Sequence, residues 1–271
     1  MIQDNLFNYK RFIFLKWALV VVLISSLAYA IDQPRITANG GTWLGYTLGT
    51  IGALLIVWLM WFGVRKRQYF NQSGSLRAWV SAHIYLGLAL SVVATLHTGF
   101  QIGWNIHSLA YVLTMATIAS GVWGLGFYLR YPGEMTKALN QRSPEQIVAE
   151  IDALDKDAGK LLKNIQGNVR RAVEASMNQG IFDQASQRRK GTVKNCATAQ
   201  AVATLEFELT QNDDVAPLHL NQVQRLRALK QLRRYHVLRY WLEMWLAVHV
   251  PLSFGLLAAL IAHVLSVFIY W

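Results

Sequence analysis

The chain has 271 residues, 54% hydrophobic and only 15% charged, with a net charge of +11. Soluble domains carry about 25% charged residues, so a single water-soluble globule is excluded. The basic excess reads as the cytoplasmic bias of a membrane protein, not as a nucleic-acid footprint. A lone cysteine, Cys196, excludes a disulfide scaffold, a thiolate zinc cluster and covalent haem attachment through C-x-x-C-H.

Asp, Glu, Lys and Arg are absent from residues 17–31, 36–64, 78–129 and 244–271. A bilayer core of roughly 30 Å is crossed by about 20 apolar residues in a helix. Residues 13–31 form the first predicted span. Its basic start and Ala28-Tyr29-Ala30 also suit a signal peptide, and we read it as an uncleaved anchor. Residues 43–64 form the second span. The 52-residue block 78–129 is too long for one span. It divides at Gly99–Asn105, where Gly99, Gly103 and Asn105 supply turn chemistry, giving spans 77–99 and 106–129. The last span covers 241–270.

Five spans place the termini on opposite sides. Of 26 basic residues, 25 fall on one side and only Arg35 on the other. The basic side is the cytoplasm by the positive-inside rule. The expectation is a bacterial inner-membrane protein with a cytoplasmic N-terminus and an outer C-terminus. Trp43, Trp61, Trp79, Trp104, Trp241 and Trp271 lie near span ends, as an interfacial aromatic belt does.

Residues 132–239 are different material, with 17 basic and 12 acidic residues. Ser143-Pro144-Glu145-Gln146 reads as an N-cap, a proline at the first helical position and a capping box. Ile147, Ile151, Leu154, Leu161, Leu162, Ile165 and Val169 follow helical spacing, predicting one helix to Asn178, ended by Gly180. Residues 181–200, with Arg188-Arg189-Lys190, read as a loop, and Thr204–Thr210 alternates like a strand. From Asn221 a helical pattern runs without a breaker into the last span. The expected insert is a helical hairpin whose return arm continues into span five. Its basic face suits either solvent beside anionic lipid or an acidic electron-transfer partner. No dinucleotide, Walker or flavin fingerprint occurs.

Four of the seven histidines form a pattern. His83 and His97 are 14 residues apart in span three, and His249 and His263 are 14 apart in span five. Fourteen steps of about 100° fall about 40° short of four turns, with a rise of about 21 Å. Each helix therefore carries two imidazoles on one face. Spans three and five run parallel, so His83 is level with His249 and His97 with His263. Each histidine alone could equally bond a neighbouring helix. The duplicated spacing favours ligation, and two imidazoles on one metal point to haem held without a covalent link. Histidine–zinc is weaker, since no carboxylate or thiolate lies at the same depths.

This H-x13-H pair on two parallel spans resembles the di-haem cytochrome b superfamily. It resembles the four-helix core of the cytochrome b of quinol:cytochrome c oxidoreductases and the membrane domain of ferric reductases and NADPH oxidases. Trp245, His249, Val250, Pro251, Leu252 and Ser253 resemble small cytochrome b561-like membrane subunits. The likeness covers residues 43–131 and 240–271. The charge-free runs and helical patterns predict an all-α integral membrane protein with five transmembrane helices and a helical cytoplasmic insert, within which the resemblance implies a four-helix haem-binding bundle. The parts are 1–42 (tail, anchor and outer loop), 43–131 (spans two to four), 132–239 (insert) and 240–271 (span five).

The resemblance implies one haem b between His83 and His249 and a second between His97 and His263. Haem pressed between helices needs backbone without side chains, a role it assigns to Gly49 and Gly63 on span two and to Gly121 and Gly124 on span four. Gly126 lies at the same inner level as the last two. Ordinary close helix packing accounts for the same glycines. Arg77 and Arg239 are placed to meet haem propionates or to anchor at headgroup level. His107 is placed to bond a propionate, line a quinone pocket, relay a proton or sit plainly at the interface. His219 and His236 lie outside the spans. The implied function is electron transfer across the membrane by one subunit of a larger assembly. Its partners would be flavin, iron–sulfur or cytochrome proteins, with membrane lipid and a quinone. A stand-alone reductase of ferric iron or oxygen, and a non-redox channel, transporter or scaffold using histidines as a proton or metal path, remain as alternatives.

Overall fold

The structure, a computed structural model, describes residues 7–32, 34, 37–67, 75–181 and 196–269. Arg35, Arg188-Arg189-Lys190, Trp271 and most of the expected 181–200 loop lie outside them. The helices are α1 (Ile13–Ile31), α2 (Trp43–Arg67), α3 (Leu76–Thr98), α4 (Ile106–Ala138), α5 (Pro144–Leu161), α6 (Gly167–Met177), α7 (Ala197–Leu209) and α8 (Ala216–Ile269). The structure is 85% helical, with no strand among the described residues. α1, α2, α3, α4 and α8 each contain a stretch long and apolar enough to cross a membrane. This is an all-α integral membrane protein.

Two compact units are formed. One comprises Met1–Leu125 with Trp245–Trp271, the other Gly126–Met244. Both boundaries fall inside helices, since α4 runs to Ala138 and α8 is one helix of 54 residues. α8 has the expected continuity from the insert pattern into the last span.

In the membrane unit, Ile56 and Leu59 of α2, Leu90 of α3 and Leu256 of α8 form a buried cluster, with Leu113 and Ile118 of α4 against it. Four helices thus share one core, and α1 packs on α3. The outer faces stay apolar, with Leu23 57% and Ile24 63% exposed. Fully burying one such side chain is worth about 1.5–3 kcal/mol, so these faces need lipid around them. α3 ends as expected. Gly99 adopts φ +57°, and a Cβ there would run into the Ala38 carbonyl. Its N–H donates to the Leu96 carbonyl at 3.1 Å, closing the helix in a left-handed cap. α4 begins where Asn105 Oδ1 accepts the Ser108 N–H at 2.9 Å.

In the second unit the expected capping box is present. Gln146 N–H donates to Ser143 Oγ at 3.2 Å, and Ser143 N–H donates to Gln146 Oε1 at 2.8 Å. Two sequence expectations are corrected here. The single helix to Asn178 is broken. Ile165 and Gln166 are extended and Gly167 takes φ +80°, which starts α6 in a new direction. The turn lets Val169 and Val173 pack with Ala201 and Leu205 of α7. The Thr204–Thr210 strand is instead part of α7, which also takes residues 197–200 from the expected loop. Its buried positions Ala201, Val202 and Leu205 follow the helical period, while the apparent alternation leaves Phe207 66% exposed. Cys196, also buried, caps α7 by accepting the Ala199 N–H at 3.3 Å. The insert is therefore no hairpin but α5, α6, α7 and the first half of α8 around two apolar cores.

A buried polar network ties these helices. Arg225, 1% exposed, holds Asp155 of α5 through Nε at 2.6 Å and Nη2 at 3.1 Å. Its Nη1 donates to Thr198 Oγ1 of α7 at 2.6 Å. Ser176 of α6 lies 2.9 Å from Thr198 Oγ1 and donates to Gln222 Oε1 at 2.7 Å.

Candidate functional site

The histidines singled out by spacing meet in the membrane unit. His97 lies in the last turn of α3 and His263 near the end of α8, and their rings stand 6.0 Å apart at 85°. The structure thus brings His97 and His263 together.

Their hydrogen bonds define which nitrogen is available. His97 Nδ1 lies 2.7 Å from the Gly45 carbonyl. A carbonyl only accepts, so Nδ1 carries the proton and Nε2 keeps its lone pair. His249 Nδ1 lies 2.8 Å from Ser120 Oγ. The single Ser120 proton is donated to the Thr117 carbonyl at 2.7 Å, so Ser120 accepts from His249 and Nε2 is again free. His263 Nδ1 lies 2.6 Å from Nδ1 of His107. His83 stands beside the Phe62 ring at 5.1 Å, and its buried Nδ1 has no hydrogen-bond partner among the described residues. The Thr117 hydroxyl, in the turn that faces His249, is likewise buried without a partner. Three of four imidazoles are therefore held by Nδ1, the arrangement that orients histidine ligands and raises their basicity.

The glycines cradle side chains. A Cβ on Gly49 would stand 2.7 Å from His97 Cε1, and one on Gly40 3.2 Å from the same atom. A Cβ on Gly45 would strike the Asn39 carbonyl. Gly40 and Gly45 were not singled out from the sequence. Gly45 and Gly49 do form a G-x-x-x-G pair, the signal for close helix approach. Gly121 makes room for His249, where a Cβ would stand 3.3 Å from Cε1. Gly63 and Gly126 have nothing within 4 Å of a built Cβ.

A Cβ on Gly124 would penetrate the Trp245 ring. That indole donates Nε1–H to the Ser120 carbonyl at 3.0 Å and lies 5.9 Å from the His249 ring. Trp245 and Ser120 were missed as site residues, because only the tertiary contact reveals them. Gly124→Ala is expected to push Trp245 off its seat and lower the thermal midpoint of the purified protein, at an overpacking cost of about 1–3 kcal/mol.

Neither arginine forms part of the histidine cluster described above. Arg77 is exposed in the first turn of α3, lining a surface groove with Lys10, Tyr9 and Ser75. Arg239 belongs to the other unit, where its Nε pairs with Glu243 at 2.7 Å. No group of three or more His, Cys, Asp or Glu residues able to hold a metal ion occurs among the described residues. Comparison of the chain with protein-family models, curated proteins and solved structures finds no match.

Proposed function

We propose that the membrane unit holds two haem b groups, one between His83 and His249 and one between His97 and His263. The chain is then an electron-transfer subunit of a membrane redox assembly. The observation that carries this reading is the engagement of Nδ1 on His97, His249 and His263, which fits imidazoles prepared to ligate through Nε2. A bare zinc site needs three or four protein ligands, and these residues offer pairs. Pairs would suit a haem iron, which needs no more than two protein ligands. The rings of His97 and His263 stand 6.0 Å apart.

Bound haem supplies reversible one-electron chemistry. The residues of this chain ligate, fix the imidazole tautomers and keep the sites dry within apolar helices. Ser120 and the Gly45 carbonyl orient His249 and His97. Trp245 covers one side of His249. Electrons enter or leave through a quinone or through a flavin, iron–sulfur or cytochrome protein docked on the cytoplasmic side, in a bacterial inner membrane. The N-terminus is cytoplasmic, because 25 of 26 basic residues then fall inside.

A reduced-minus-oxidised spectrum with a pyridine haemochrome assay on the purified full chain tests this. Two haems b per chain are expected. No haem overturns the reading and leaves the histidines as a non-redox proton or metal path. One haem breaks the pairing.

A further inference from the structure

His107 is the second residue of α4 and exposed. The start of that helix is pinned twice, by Asn105 Oδ1 on the Ser108 N–H and by the Gly103 N–H on Ser108 Oγ, each at 2.9 Å. The imidazole is therefore carried on a fixed turn. Among the described residues its ring bonds Nδ1 of His263 at 2.6 Å, with ring centroids 4.6 Å apart at 87°.

Two neutral imidazoles share an Nδ1–Nδ1 bond only when one of them carries the proton. If His107 donated, His263 would hold its own proton on Nε2 and have no free nitrogen for a metal. If His263 donates, its Nε2 lone pair is free, as the Gly45 carbonyl makes it on His97. We infer that His107 is a positioning residue for His263. Its Nδ1 accepts the His263 Nδ1–H, fixes the tautomer, orients the ring and strengthens the ligand. The inference rests on the di-haem reading above and goes beyond it by giving an exposed interfacial histidine a specific role.

The sign of the effect follows from the bond. An acceptor on the far side of a ligating imidazole pushes electron density toward the metal and favours the oxidised state. Removing it makes the outer haem easier to reduce. Asparagine can place Oδ1 near the position of a histidine Nδ1, so it accepts the same N–H but brings no ring nitrogen to ligate.

The test is a redox titration of the full chain, wild type against His107→Ala and His107→Asn, with low-temperature electron paramagnetic resonance of the oxidised protein. The haem that disappears in His97→Ala identifies the outer signal. His107→Ala is expected to retain two haems and to shift the oxidised-to-reduced ratio of the outer one about tenfold toward reduced at fixed ambient potential. For a one-electron couple that is about 59 mV. Its resonance signal moves, the inner haem is unchanged, and His107→Asn restores both readouts. Loss of the outer haem in His107→Ala with recovery in His107→Asn supports the same role. An unchanged potential and signal in His107→Ala overturns it. So does any shift or loss that His107→Asn leaves in place, which would make His107 itself the ligand or a packing residue. Absence of haem from the wild-type chain overturns the di-haem reading instead, and is seen before any substitution is made.

Discussion

His97→Ala is expected to lower the haem content from two per chain to one, and His263→Ala to produce the same single-haem protein. His83→Ala and His249→Ala should together define the complementary species, with the other haem remaining. The sharper result is the pattern of double substitutions. Residues that act on one bound group are non-additive, whereas independent sites add. His97→Ala with His263→Ala should therefore still hold one haem. His97→Ala with His83→Ala should hold none. The measurement is haem per chain by pyridine haemochrome, with circular dichroism confirming that the helices persist. If the two-residue variants within a pair lose both haems, or those across pairs retain one, the pairing is wrong. The geometry behind the expectation is the 6.0 Å approach of the His97 and His263 rings.

Asp155→Ala should be the most damaging change in the second unit. The Arg225 side chain is only 2% exposed, and Asp155 is its carboxylate partner. Removing one member of a buried ion pair costs about 3–5 kcal/mol, because the remaining charge is left uncompensated. Thr198 would still accept one guanidinium N–H, but no negative charge would remain in the bond. Since about 1.4 kcal/mol is a factor of ten, hydrogen exchange of the slowest amides in α6 and α7 should quicken by roughly a hundredfold or more. Adding Arg225→Met to Asp155→Ala should recover much of the loss, since an apolar side chain of similar length carries no charge to desolvate. A double variant as unstable as the single one would show that the network holds these helices by shape and not by charge.

The membrane helices were legible in the sequence because lipid is a uniform solvent. Each span must be apolar for about 20 residues whatever it packs against, so charge-free runs located α1 to α4 and the end of α8. The turn at Gly99 and the cap at Ser143 were legible for a related reason. Left-handed φ and a free N-terminal N–H are local demands, met by residues within three or four positions. The 14-residue histidine spacing is local too, being a property of one helix at a time.

Other features belong to pairs of residues far apart in the chain. The α7 segment looked like a strand because Leu205, Phe207 and Leu209 alternate. Packing chose the helix, burying Ala201 and Leu205 against α6 and Val202 as well. The break at Gly167 has no strong stop signal, and the second core behind it decides it. Arg225 and Asp155 are 70 positions apart, and His107 and His263 156 apart. Composition and periodicity determined by themselves that this is a five-span helical membrane protein with two levels of histidine. Only the tertiary structure decided that Ser120, the Gly45 carbonyl and His107 hold Nδ1 of three of those histidines. The physical reason is that a hydrogen-bond partner is set by proximity in space, whereas hydropathy and helical period are set along the chain.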